Sequence, residues 1–152
     1  MNDSAATRKF NLSCNLQKVS GNAQTIQRRE ERMAFNYWST KMHHLKFSTC
    51  IEACNACSVA CNYCATSCLQ EPNVQKMARC IALDLDCAAI CALAAAAMAR
   101  GSEHVKAICA LCASICKSCG DECGKHPAEH CKQCAKACHS CADACLKMAA
   151  AA

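Results

Sequence analysis

The chain has 152 residues, of which 20 are cysteine, against 4 Gly, 2 Pro and 6 aromatics, and it carries a net charge of +5. So much cysteine in a short chain ordinarily marks a disulfide scaffold, but such scaffolds are loop-rich, whereas a chain rich in Ala and poor in Gly and Pro reads as helices. The length suffices for one domain whose core needs no covalent staples, and the modest charge, with Lys and Arg mixed among acids, gives no footprint for nucleic acid.

Residues 1–44 are polar and include the charged run Arg28-Arg29-Glu30-Glu31-Arg32. With no sustained apolar period they read as a loose N-terminal extension. Five of the six aromatics (Phe10, Phe35, Tyr37, Trp38, Phe47) but only one cysteine, Cys14, lie within the first 47 residues. From Met1 to Trp38 there is no apolar run of the roughly 7–15 residues that a secretory signal needs, so a cytoplasmic location is expected. In that reducing compartment dense cysteine favours metal binding over disulfides. The longest apolar stretch, Cys87 to Ala99, is too short to span a membrane.

Beyond residue 45, breakers divide the chain into four similar segments. Glu71-Pro72-Asn73, Gly101-Ser102 and Gly124-Lys125-His126-Pro127 are the stops. They predict helices near 45–70, 74–99, 103–124 and 128–148. Short connections make successive helices antiparallel, so the expected fold is all-α: an up-down-up-down four-helix bundle over 45–148, with a short Ala tail at 149–152.

The cysteine spacing is the most specific feature. Cys50, Cys54, Cys57, Cys61, Cys64 and Cys68 lie on the first helix, and Cys80, Cys87 and Cys91 on the second. Cys109, Cys112, Cys116, Cys119 and Cys123 follow on the third, and Cys131, Cys134, Cys138, Cys141 and Cys145 on the fourth. Within each helix every interval is three, four or seven, the seam that a bundle turns inward. Nineteen thiols therefore occupy positions where Leu, Ile and Val are usual. As plain core filler they would leave a core short of volume and prone to oxidation. Neighbours on one helix stand about 5–6 Å apart at Cβ, beyond the roughly 3.5–4.5 Å of a disulfide.

Metal binding remains, and sulfur donors select Cu(I), zinc or iron–sulfur clusters. Each four-thiolate zinc site carries a net charge of −2, so four or five of them would bury roughly −8 to −10 with few cations in the seam to offset it. Cu(I) at about one ion per thiolate leaves the core neutral, and a ladder of donors suits it better than zinc, which wants four donors converging on a point. A zinc or mixed-metal thiolate sink of the metallothionein type stays as the alternative. Cys50, Cys54 and Cys57 spell CxxxCxxC, but the motif continues as a helical repeat, unlike the loop in which radical enzymes hold a cluster. Nothing suggests an enzyme: there is no Gly-rich cofactor loop and no nucleophile–base pair.

The segments Cys50-Ile-Glu-Ala-Cys-Asn-Ala-Cys-Ser-Val-Ala-Cys61, Arg79-Cys-Ile-Ala-Leu-Asp-Leu-Asp-Cys87 and Cys119-Gly-Asp-Glu-Cys-Gly-Lys-His-Pro-Ala-Glu-His-Cys131 resemble the bacterial four-helix-bundle copper storage proteins of the cytosolic branch. The likeness covers about residues 45–148 and leaves out the first 40. It implies Cu(I) held by core thiolates, a homotetramer and copper storage or buffering, and it names no chaperone or client.

Antiparallel packing would gather Cys68, Cys80, Cys123 and Cys131 at one end. The seam there continues to Met77, His126 and His130, soft or borderline donors that can hand a copper ion inward, so this end is the expected mouth. Asp84 interrupts the seam between Cys80 and Cys87 and is counted with the mouth, where a buried carboxylate must find a partner or a proton. The other end, with Cys50, Cys91, Cys109 and Cys145, continues into Phe47, His43, Ala94, Met98, Val105 and Met148, mostly an apolar plug. Ala88 to Ala99 is apolar on all faces, more than one bundle can bury, which predicts a homo-oligomer.

Overall fold

The computed structural model describes the backbone of residues 4–151 and the side chains of 23–38 and 45–150. Four helices follow in order: α1 (Ser4–Cys68), α2 (Val74–Ala99), α3 (Val105–Cys123) and α4 (Glu129–Ala151). No strand occurs among the described residues.

Local chemistry sets the helix ends. Pro72 stands in the α1–α2 turn, and the Asn73 side chain accepts the Lys76 backbone N–H at 3.4 Å, capping α2. α2 stops at Gly101, whose φ of 64° lies in the left-handed region that favours glycine. There the Gly101 N–H donates to Met98 O (3.1 Å) and the Ser102 N–H to Ala97 O (3.0 Å), closing the last turn.

Two expectations are corrected. α1 begins at Ser4, where only a loose extension was expected over residues 1–44, and α4 continues through Ala149 and Ala150, expected as a tail. Between Ser4 and Cys68 there is no proline and a single glycine, Gly21, among many good helix formers. A missing apolar stripe bears on whether a helix is buried, not on whether it forms.

The chain divides into two compact units, Met1–Ser39 and Thr40–Ala152. In the first, residues 23–38 are all exposed, and the Tyr37 and Trp38 rings meet edge-on at 6.3 Å. Cys14, His43 and His44 lie outside the described side chains.

The second unit is built on the cysteine seam. All nineteen seam cysteines are buried, eighteen of them with no exposed surface and Cys50 at 2%. Ala88, Ala94, Ala95, Ala97, Ala113, Ala135 and Ala142 lie beside them in the core, with Phe47, Ile51, Met77, Met98 and Val105 as its larger side chains. Small residues let the helices come close: a Cβ on Gly120 would stand 2.9 Å from the His139 ring and 3.2 Å from Cys138 Cβ. α2 has the length and hydropathy to cross a membrane, although half of its most apolar stretch is buried and its inner face carries Cys80, Asp84, Cys87 and Cys91. That is the pattern of a core helix.

Candidate metal centre

Helical periodicity delivers the sulfurs in ranks. Along one helix, neighbours four residues apart lie at 3.8 Å (Cys112–Cys116, Cys134–Cys138), 3.9 Å (Cys57–Cys61) or 4.0 Å (Cys64–Cys68, Cys119–Cys123). Between helices the spacing is as short: Cys80–Cys123 3.3 Å, Cys91–Cys116 3.4 Å, Cys61–Cys138 3.5 Å and Cys87–Cys116 3.5 Å. A metal–sulfur bond of about 2.3 Å lets one ion bridge sulfurs up to about 4.6 Å apart, so each of these pairs can share an ion with the backbone fixed. All nineteen are free thiols.

In places four sulfurs do converge, contrary to the expectation of a simple ladder. Cys54, Cys112, Cys141 and Cys145 form one such group, and Cys57, Cys91, Cys116 and Cys141 another. Cys57, Cys61, Cys87 and Cys138 form a third, and Cys61, Cys119, Cys134 and Cys138 a fourth, the ligand atoms of each lying within 4.8 Å of one another. Helices packed at close range bring ranks from different helices level, which spacing along one helix does not reveal. Cys57, Cys61, Cys138 and Cys141 each belong to two groups, so the donors form a continuous array, not separate cages. Among the described residues the buried polar or charged side chains are Asp84 and Glu122, so no buried cation offsets thiolate charge.

The four residues expected at the mouth have different surroundings. His130 turns Nδ1 toward Cys131 (3.4 Å), Cys64 (3.5 Å) and Cys68 (4.0 Å), making a four-donor group with them. Its Nε2 is 3.0 Å from Glu71 Oε1. Burial pushes the Cys68 thiol up, and the Cys131 thiol up to about 11. His126 is half-buried; its Nε2 is shielded from solvent, lacks a hydrogen-bond partner and lies 3.8 Å from Glu122 Oε1. Glu122 is engaged elsewhere, by Lys125 at 2.7 Å and Arg79 at 3.1 Å, which hold its carboxyl below the usual range. Met77 is buried and, with His126, Pro127 and Glu71, lines a hollow of about 260 Å³.

Asp84 sits deeper than the expectation had it. It has no exposed surface, and its Oδ1 accepts from the thiols of Cys119 (3.0 Å), Cys134 (3.2 Å) and Cys123 (3.3 Å). Burial, then the bond from Cys119, pushes its carboxyl up to about 10, so at neutral pH the folded chain holds a proton that the unfolded chain releases. The stability this proton contributes is fully present below about pH 4 and is lost as pH rises toward 10. Asp84→Asn should remove a decline approaching about 1.4 kcal/mol per pH unit, read in metal-free unfolding curves between pH 5 and 8.

At the far end Phe47, Ala94, Met98 and Val105 are buried and Met148 is half-buried. His104 and His139, off the seam, are well exposed. The sequence reading missed Glu71 and Glu122. The available signal was that the α1–α2 and α3–α4 turns fall at one end of an alternating bundle, which brings Glu71 toward His130.

Comparison with known proteins agrees with this geometry. Residues 43–150 match the copper storage protein family. The cysteine-rich protein YhjQ of Bacillus subtilis is 56% identical over 81 residues, 53% of this chain and 75% of that one. The Cu(I)-bound structure of the copper storage protein BsCsp3 is 55% identical with a TM-score of 0.65, covering 67% of this chain and 96% of the other. A cytosolic copper storage protein from Streptomyces lividans, solved with five coppers, is 39% identical with a TM-score of 0.69, covering 74% and 98%. With the family match extending over most of its length, this chain belongs to the copper storage protein family.

Proposed function

We propose that this protein stores or buffers copper in the cytoplasm, holding Cu(I) on the nineteen core thiolates and carrying out no turnover. The observation that carries this is the sharing of sulfurs between neighbouring donor groups. An array in which one sulfur serves two groups suits bridging thiolates and a monovalent soft ion, and about one ion per thiolate leaves a core without buried cations neutral. The Cu(I)-bound relative supports the same metal, and the cytosolic Streptomyces relative the same compartment.

The fold we infer is the up-down-up-down four-helix bundle. Sulfur contacts between α1 and α4 support it, running Cys50–Cys145, Cys57–Cys138 and Cys64–Cys131, in opposite chain order. The protein is a homo-oligomer, a tetramer by family resemblance. Outside the core, α2 exposes the apolar positions Leu85, Ala89, Ala92, Leu93 and Ala96, a stripe that a second copy would cover. Copper arrives at the end carrying His126, His130 and Met77, and Asp84 lies about two helical turns inward of Met77.

The four-sulfur groups favour zinc as the second reading. Proton release separates the two. Cu(I) loading at constant pH should release about one proton per ion, whereas four-thiolate zinc sites release about four per ion. A pH-stat titration of the reduced protein reads this directly, and about four protons per tightly held ion would replace storage of Cu(I) with a zinc sink.

A further inference from the structure

We infer that Glu71 is a positioning residue for copper uptake: it fixes the tautomer and ring orientation of His130, so that the Nδ1 lone pair faces the thiols of Cys64, Cys68 and Cys131. The inference deepens the proposed function and rests on it. Glu71 stands in the turn after α1 and His130 at the start of α4, 59 residues apart in the chain, yet Nε2 and Oε1 meet at 3.0 Å. A carboxylate only accepts, so the contact requires the His130 Nε2–H to donate. In the neutral imidazole Nδ1 is then the unprotonated nitrogen, able to bind a metal, and it is the atom 3.4 to 4.0 Å from the three sulfurs.

The other histidine at this end supplies the contrast. Glu122, already held by Lys125 and Arg79, stays 3.8 Å from His126 Nε2, too far to bond, and that nitrogen has no partner. Of two carboxylate–histidine pairs, one is closed and one is open. The closed pair belongs to the ring that completes a four-donor group. A carboxylate behind a ligating imidazole both orients the ring and raises its basicity toward the metal. His130 is therefore held in advance with Nδ1 aimed into the array.

Three forms of the full chain test this: wild type, Glu71→Ala and Glu71→Gln, each compared with His130→Ala. The first readout needs no copper: ¹⁵N chemical shifts of His130 in the reduced, metal-free protein. Wild type should show the Nε2–H tautomer and Glu71→Ala a mixture. Glu71→Gln, whose amide oxygen accepts the same bond, should keep the wild-type pattern. In the second readout, Cu(I) supplied as its acetonitrile complex should bind at the first equivalent about tenfold more weakly to Glu71→Ala, with Glu71→Gln recovering most of the loss and total capacity unchanged. Wild-type shifts and wild-type first-ion affinity in Glu71→Ala would overturn the inference, as would Glu71→Gln behaving like alanine. A wild-type protein that takes up no Cu(I) would instead overturn the storage reading, and the metal-free tautomer would still report on Glu71.

Discussion

Cu(I) capacity falls in steps of about one ion when the α4 cysteines are replaced by alanine one after another, in the order Cys138, Cys134, Cys141, Cys145 and Cys131, as one ion per thiolate requires for a neutral core. The first replacement is the most informative, because Cys138 touches Cys57, Cys61, Cys87 and Cys134 and belongs to two donor groups. In a continuous array its neighbours still bridge to one another: Cys57 keeps contact with Cys61 and Cys87, and Cys61 with Cys134. The loss therefore stays near one ion. In an assembly of separate four-thiolate clusters, each holding about four ions, the same change would disable a whole cluster at once. Each replacement also removes one core group at a cost of about 1 kcal/mol to the metal-free fold, so unfolding curves accompany the series. Metal counts by elemental analysis after desalting give the answer, and an abrupt loss of four or more ions at the first step would favour discrete sites.

His130→Ala slows Cu(I) uptake by at least about tenfold, equivalent to about 1.4 kcal/mol of barrier, while lowering capacity by no more than about one ion. The rate is the sensitive quantity because His130 brings a ring nitrogen within reach of Cys64, Cys68 and Cys131, whereas the four-donor groups farther in are built of sulfur. An ion arriving from an external carrier exchanges ligands one at a time, and an imidazole whose Nδ1 carries no proton can accept it before the protonated thiols beside it release theirs. The Cys131 thiol, pushed up to about 11, and the raised Cys68 are protonated at neutral pH. The same reasoning gives a pH sign: uptake strengthens as pH rises toward 11, because each thiol must release its proton to bind. His126→Ala should have a smaller effect, since its Nε2 lies 3.8 Å from Glu122 Oε1, too far for the bond that orients His130. Stopped-flow uptake of Cu(I) by the reduced protein measures both, and unchanged rates in both variants would shift the mouth to the end closed by Phe47, Met98 and Val105.

What the sequence made legible is what local rules decide. Intervals of three, four and seven between cysteines dictate one buried stripe per helix, and every one of the nineteen is buried. Pro72, Gly101 and Pro127 interrupt the helices because one cannot donate a backbone N–H and the other readily adopts positive φ, so the breaks at the α1–α2, α2–α3 and α3–α4 turns followed directly. What escaped is what depends on tertiary approach or on the absence of a signal. The Glu71–His130 contact joins two turns far apart in sequence, and nothing in Glu-Pro-Asn marks its glutamate as more than part of a stop. Asp84 was readable as an anomaly in the seam, but its depth among Cys119, Cys123 and Cys134 depended on how α2, α3 and α4 set their register. The helix over residues 4–44 left no such signal: it lacks an apolar stripe and rests on a run of helix formers with no proline and the single glycine Gly21.

The most direct test of the account is an anaerobic Cu(I) titration of the fully reduced protein, counting tightly held metal against titratable thiol and repeating the count with zinc. A neutral, sulfur-bridged core predicts saturation at roughly nineteen Cu(I) per chain, with far fewer zinc ions held. Saturation at about four or five ions of either metal, each with four thiolates, would contradict it.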